Sequence, residues 1–195
     1  MYYKIYKDIR NAAWQCLLDF EIDTLPVDVL KIAKVAGIRV IKNSVVKILK
    51  DEEKARTFYD NDTWLIVYDD TLSIPCARLS IAHELGHIFL GHDICYAEYF
   101  SVRVFKKETV SEKQADSFAI KLLTPACVIW GLGLDSAEDI ADHCRVPLPA
   151  AKKRMARMTT LYKRNKFLST ASETAVYANF RKYIKNENNS KDVKI

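Results

Sequence analysis

The chain has 195 residues, of which 49% are hydrophobic, and it carries a formal net charge of +5. This length and apolar content allow one packed domain with a small appendage, and no run approaches the eighteen apolar residues of a membrane span. The first eighteen residues carry charges through their apolar stretch and lack a cleavage site, so we do not expect a signal peptide. The five scattered cysteines form no CxxC pair, which favours reduced thiols and predicts a cytoplasmic location.

The positive charge is concentrated at the C-terminal end. Residues 152–195 hold twelve Lys and Arg against three acids, a local charge of +9, whereas residues 1–151 have a local charge of −4. Such an end can contact nucleic acid or an acidic partner, or it can be an ordinary solvated terminus.

The first half of the chain predicts two helices followed by three strands. Apolar residues recur at helical spacing over 3–20, and a second helix is predicted from about 24–26, with Pro26 in its first turn, to Gly37. Strands are predicted at 38–42, 55–59 and 63–68, the last two joined by turn-forming residues at 60–62.

The second half predicts helices. They cover 76–90, 112–123 and 125–130, followed by two short helices within 135–158. The polar residues from Asn186 onward predict a disordered end. The fold class is therefore α+β: a small sheet that contains antiparallel strands, with helices packed around it.

The stretch RLSIAHELGHIFLGHD, residues 78–93, contains three of the four histidines. In a helix, His83 and His87 project from the same face because they lie four residues apart, and Glu84 lies at the edge of that face. This is the H-E-x-x-H arrangement, in which two histidines bind Zn²⁺ and the glutamate acts as general base. An apolar core helix with structural histidines is the alternative interpretation.

A catalytic zinc site needs a third protein ligand, and the chain offers two candidates. Asp93 follows the motif at about the distance where one subclass places its third ligand, but the glycine of that subclass is replaced by Leu90. The other candidate is Glu112, on the helix predicted for 112–123. Asp116 lies one turn further and can accept a hydrogen bond from a ligand histidine.

These two helices resemble the signature of the ImmA/IrrE family of zinc metallopeptidases. That family combines an HELGH helix with a second helix of the pattern E-x-x-A-[ND]-x-F-A-x-x-L-L-x-P. The chain matches this pattern at Glu112, Ala115, Asp116, Phe118, Ala119, Leu122, Leu123 and Pro125, and departs from the family at Thr124, where methionine is common.

The resemblance implies one Zn²⁺ per chain, held by His83, His87 and Glu112, with Glu84 as the catalytic base and Asp116 supporting a ligand histidine. It implies a zincin-like two-helix metal site within a metallopeptidase domain at 1–130. A helical hairpin at 131–168 and a C-terminal helix with a basic, partly disordered tail at 169–195 follow. The expected activity is cleavage of a regulatory protein, a helix-turn-helix repressor of a mobile element or stress response that is encoded nearby.

Several polar residues near the motif are weaker candidates for stabilising an oxyanion or binding substrate. They are His92, Tyr96 and Tyr99. The strand within 64–70 is a candidate sheet edge for an extended peptide substrate.

The segment 135–158 resembles a helix-turn-helix whose second helix is basic. This feature supports an alternative function, a DNA-binding transcriptional regulator with a structural or sensory metal site. In that case Lys152, Lys153, Arg154 and Arg157 are the expected phosphate contacts. The same hairpin can instead recognise a protein or simply pack on the catalytic domain.

Overall fold

A computed structural model describes the backbone of residues 2–92 and 110–192 and the side chains of residues 9–92 and 110–190. The strands are β1 (Arg39–Lys42), β2 (Ala55–Asp60) and β3 (Thr63–Tyr68). The first helices are α1 (Tyr2–Asp19), α2 (Val29–Val35), α3 (Asn43–Val46), α4 (Ile74–Phe89) and α5 (Val110–Leu123). The later ones are α6 (Ala126–Gly131), α7 (Ala137–Cys144), α8 (Leu148–Lys163), α9 (Ala171–Asn179) and α10 (Arg181–Asp192). The predicted α+β class is confirmed.

The chain forms two compact units, which we call the sheet unit and the helical unit. The sheet unit comprises Val29–Ala119, and the helical unit comprises Met1–Asp28 together with Ile120–Ile195. The predicted division at 130 and 168 stays a prediction.

The sheet has the strand order β1-β3-β2. Strand β3 pairs in parallel with β1 and antiparallel with β2, with Ile66 opposite Val40 on one side and Thr57 on the other. The β2–β3 turn places Asn61 and Asp62 at φ values of 45° and 57°, the left-handed conformation that two-residue hairpins need and that Asn and Asp tolerate. The predicted hairpin is therefore confirmed.

Helix α4 packs on strands β2 and β3. Ile81 and Leu85 of α4 are buried, as are Ile66 and Val67 of β3, so the core of this unit lies between the helix and the sheet. One face of α4 is therefore committed to packing, and another is available for polar side chains.

Helix α2 begins at Val29, and the prediction of a start near residues 24–26 was wrong. Leu25, Val27 and Val29 are all buried. Burial of every second residue suits an extended segment, because residues two apart in a helix point about 200° away from each other.

The helical unit has its own core, in which α1 and α6 each contact α9. Leu17, Ile129 and Phe180 are fully buried there. Gly131 allows a close approach, since a Cβ at this position would lie 2.7 Å from the ring of Tyr177.

Helices α7 and α8 contact each other and form the predicted hairpin. Ser136 caps α7 by accepting a 3.0 Å hydrogen bond from the backbone N–H of Asp139. Arg145, at φ 48°, ends the helix, and Pro147 is the N-cap of α8.

Residues 186–192, for which we predicted disorder, belong to helix α10. Buried Ile184 anchors this helix, and the amide of Asn188 donates a 3.1 Å hydrogen bond to the carbonyl of Gly131. These tertiary contacts order a stretch whose composition alone does not favour structure.

Candidate metal centre

Helices α4 and α5 carry the candidate site, and a close approach between them positions it. A Cβ at Gly86 of α4 would lie 3.1 Å from Phe118 Cδ1 and 3.2 Å from the Cα and carbonyl oxygen of Ala115. A side chain at position 86 would press against these atoms, so glycine favours this close approach of the α4 and α5 backbones. Glu112, one turn before Ala115, thereby reaches the histidines of α4.

Three side chains converge at this point. They are those of His83, His87 and Glu112, whose potential ligand atoms all lie within 4.8 Å of one another. His83 Nε2 lies 3.0 Å from His87 Nε2 and 3.2 Å from Glu112 Oε2. His87 Nε2 lies 3.6 Å from Glu112 Oε1.

These distances fit a tetrahedral ion. At metal–ligand distances of about 2.1 Å, ligand atoms of a tetrahedral zinc site lie roughly 3.4 Å apart. Two imidazoles and one carboxylate are also a known donor set for catalytic zinc. The three side chains therefore fit the metal that their pattern predicts.

Asp116 orients His83. Its Oδ1 lies 2.8 Å from His83 Nδ1, and a carboxylate can only accept, so Nδ1 carries the proton and donates it to this bond. Nε2 is then left with its lone pair directed toward His87 and Glu112, as a metal ligand requires. Burial of His83 opposes its protonation, but the hydrogen bond to Asp116 and the nearby carboxylates outweigh this effect and raise the pKa of His83.

His92 lies against His87 on the side away from Glu112. The Nδ1 atoms of these two histidines are 3.1 Å apart, and His92 Nε2 is 2.9 Å from Gln114 Oε1. If the amide oxygen of Gln114 accepts from His92 Nε2, then His92 Nδ1 accepts from His87 Nδ1, which leaves the His87 Nε2 lone pair for a metal. Gln114 was not among the residues that the sequence pointed to.

Thr57 contacts the candidate base. Its hydroxyl on strand β2 donates a 2.6 Å hydrogen bond to Oε2 of Glu84, and both side chains are buried. The sequence contained no signal for this contact, because the two residues lie 27 positions apart and threonine is common in strands.

The candidate ligands and Glu84 line an open groove of about 730 Å³. Residues 50–55, which lead into β2, form part of its wall. The prediction that the strand at 64–70 provides a sheet edge was wrong, because β3 is the central strand and is paired on both sides. Within the described sheet, the edge strand that reaches the groove is β2.

Three predicted residues, Asp93, Tyr96 and Tyr99, lie outside the described residues. Their predicted roles stay predictions. Among the residues that the structure describes, no helix combines the length and apolar character that crossing a membrane requires.

The sequence model of the Peptidase_M78 family, described as an IrrE N-terminal-like domain, matches residues 33–156. The matched region includes both helices of the candidate site, α7 and the first part of α8. No curated protein matches the chain.

Proposed function

The chain belongs to the Peptidase_M78 family of IrrE N-terminal-like domains, and on this premise we propose that it is a zinc-dependent endopeptidase that cleaves a regulatory protein. The observation that carries the proposal is the convergence of His83, His87 and Glu112 on one point beside the carboxylate of Glu84. We propose one Zn²⁺ per chain at this point, with these three side chains as ligands.

Zn²⁺ held by these residues would supply a Lewis acid that polarises the peptide carbonyl and lowers the pKa of the attacking water. Glu84 takes the proton of the attacking water and later returns it to the leaving amine. Thr57 holds the Glu84 carboxylate in one orientation, so this proton transfer begins from a positioned group. Asp116 and His92 keep the two ligand histidines in the required tautomers.

The groove suits an extended chain segment as substrate. Strand β2 is an edge of the sheet, so its outer N–H and C=O groups can pair with a substrate strand while the scissile bond lies near Glu84. We propose that the segment belongs to a helix-turn-helix repressor encoded nearby, as the resemblance to the family suggests. A cytoplasmic location stays a prediction, in keeping with the free thiols of Cys16, Cys76, Cys127 and Cys144.

Incubation of the zinc-loaded protein with the repressor encoded beside it, followed by mass spectrometry of the products, tests this function. We expect one or a few defined cleavage sites, and no cleavage by Glu84→Gln under the same conditions. An intact repressor with wild-type protein would contradict the proposed substrate. Equal cleavage by wild type and Glu84→Gln would contradict the proposed mechanism.

The alternative function, DNA binding through α8, has less support. Lys152 and Lys153 are exposed, but Arg154 is only 5% exposed and donates hydrogen bonds to Thr124 Oγ1 and the carbonyl of Ile120. A guanidinium held inside the protein cannot contact DNA phosphates as we expected of Arg154. Binding of duplex DNA with a steep salt dependence that Lys152→Gln/Lys153→Gln removes would favour this function.

A further inference from the structure

The helical unit contains a cavity of about 230 Å³ with a strongly basic lining. Side chains from α1, α5, α8 and α9 contribute to it. Its cations are Arg10, Lys121, Arg154, Arg157, Arg164 and Lys166. Glu173 is the one acid among the lining side chains that the structure describes.

Two of the cations that line this basic cavity are buried in the protein. Lys121 is 6% exposed and Arg154 is 5% exposed. The Nε of Arg154 donates a 2.8 Å hydrogen bond to Thr124 Oγ1, and its Nη2 donates a 3.2 Å bond to the carbonyl of Ile120. Both of these acceptors are neutral groups, and they position the guanidinium.

Glu173 contributes a negative charge to this lining. Its carboxylate accepts a 3.0 Å hydrogen bond from the backbone N–H of Ser169 and is itself buried. Burial and the nearby charges of Arg154, Arg157 and Arg10 lower the pKa of Lys121 to about 7. An anion bound in the cavity would relieve the repulsion between these like charges.

Arg10 covers one wall of the cavity. Its guanidinium carbon lies 4.9 Å from the centre of the Trp14 ring, a cation–π contact that fixes the side chain. Arg10 Nε is buried and has no hydrogen-bond partner among the described residues. Buried donors in native proteins are seldom left in this state, so this atom also points to a missing acceptor.

We propose that this basic cavity binds a small molecule that carries a phosphate group. Phosphate oxygens match the fork of a guanidinium, and Arg10, Arg157 and Lys121 all line the cavity as possible donors. The volume is below the roughly 300–1,000 Å³ of pockets for drug-sized ligands, which favours a compact ligand such as a sugar phosphate. The site is independent of the metal centre and of the proposed peptidase activity.

The depth of the cavity argues against a macromolecule as the ligand. The phosphates of a DNA duplex lie on a broad surface and would reach exposed Arg164 and Lys166 but not the buried Lys121 and Arg154. A small molecule that enters the cavity can reach the buried cations, because both line it.

The experiment is isothermal titration calorimetry of the full-length, zinc-loaded protein with ribose 5-phosphate, inorganic phosphate, ribose and a DNA duplex. Arg157→Gln and Lys121→Met remove charge from the lining of the cavity. Lys152→Gln/Lys153→Gln is the matched control, because it removes two exposed charges from α8 that do not line the cavity. Circular dichroism confirms that each variant is folded.

We expect binding of ribose 5-phosphate and inorganic phosphate but not of ribose. Arg157→Gln and Lys121→Met should each weaken binding by about tenfold or more, the loss expected for one charge-assisted hydrogen bond, while the control changes it less than about twofold. The proposal is overturned if folded wild-type protein binds neither phosphate compound at millimolar concentration. It is also overturned if the control weakens binding as much as the cavity variants, or if only the duplex binds.

Discussion

The hydroxyl group of Thr57 donates a 2.6 Å hydrogen bond to Oε2 of Glu84, joining strand β2 to helix α4. Thr57 is 3% exposed and Glu84 is 9% exposed, so water does not readily replace this bond. A hydrogen bond to a charged group is worth about 1.5–3 kcal/mol, and here it sets the direction in which the proposed base points.

Replacement of this hydroxyl group should therefore lower the rate of catalysis while zinc binding stays nearly unchanged. We expect Thr57→Val to reduce kcat by about tenfold to a hundredfold, while zinc content stays at the wild-type level. Thr57→Ser keeps the donor and should retain most of the activity. Cleavage kinetics and metal analysis of wild type, Thr57→Val and Thr57→Ser test this prediction. An unchanged kcat in Thr57→Val would exclude a positioning role for Thr57.

Variants of the metal ligands and of the base should differ in their zinc content. We expect His83→Ala and Glu112→Ala to lower the zinc content of the purified protein, because each removes one of three ligands. Glu84→Gln should keep zinc but lose activity. Full zinc content in Glu112→Ala together with loss of zinc in Asp93→Ala would assign the third ligand to Asp93.

Gly86 sets the spacing between α4 and α5, so a methyl group at this position should disturb the metal site. Two of the three atoms that it would meet are backbone atoms of Ala115, which cannot rotate away. We expect Gly86→Ala to weaken zinc binding by about tenfold, a cost of about 1.4 kcal/mol, in competition with a chelator. A normal far-ultraviolet circular dichroism spectrum would show that the helices remain, and unchanged zinc affinity would mean that the helices adjust.

His92 has two possible roles, which measurements of zinc affinity and kcat can distinguish. If it orients His87 through their Nδ1 contact, His92→Ala should weaken zinc binding by roughly 10–100-fold. Gln114→Ala should act in the same direction, because it removes the partner of His92 Nε2. If His92 instead stabilises an oxyanion, His92→Ala lowers kcat with zinc affinity unchanged, and Gln114→Ala has little effect on the metal.

Lys121 should make stability depend on pH in the alkaline range. Burial and the neighbouring charges of Arg154, Arg157 and Arg10 lower its pKa from 10.5 to about 7 in the folded protein. Between pH 7 and 10.5 the unfolded chain binds this proton more readily, so the contribution of Lys121 to the free energy of unfolding rises with pH across this window. Below about pH 7 Lys121 is protonated in both the folded and the unfolded chain, so its charge destabilises the folded protein to the full extent.

Lys121→Met should remove this dependence. Without a phosphate compound, we expect the variant to be more stable than wild type at pH 7, by up to a few kcal/mol, since one pKa unit corresponds to about 1.4 kcal/mol. The difference should shrink toward pH 10. Urea unfolding of both proteins at several pH values measures it, and a difference that is independent of pH would contradict a buried, protonated Lys121.

The local patterns of the sequence were sufficient to predict the helices that carry the site. The period of an α-helix places His83 and His87 on one face, and the same period relates Glu112 to Asp116. The turn formers at 61 and 62 were sufficient for the β2–β3 hairpin, because their left-handed conformation is a local property. These features depend on residues only a few positions apart, so neighbouring side chains and backbone preferences determine them.

Contacts between distant residues were decided by the tertiary structure alone. The sequence offered Asp93 as an alternative to Glu112, and the family resemblance favoured Glu112 as the third ligand. The close approach at Gly86 is what brings Glu112 to the histidines. Strand order likewise put β3 in the centre, where the sequence suggested an edge. A period along one strand does not reveal which strands lie beside it.

Buried hydrogen-bonded pairs show most clearly what a sequence cannot predict. Thr57 and Glu84 are 27 residues apart, and Arg154 and Thr124 are 30 residues apart. In the sequence Arg154 belongs to a basic run whose side chains all look solvent-exposed, and only packing decides that this one turns inward while Lys152 and Lys153 face water. The physical reason is that burial of a polar group depends on whether a partner meets it across the fold, and no local pattern records where that partner will be.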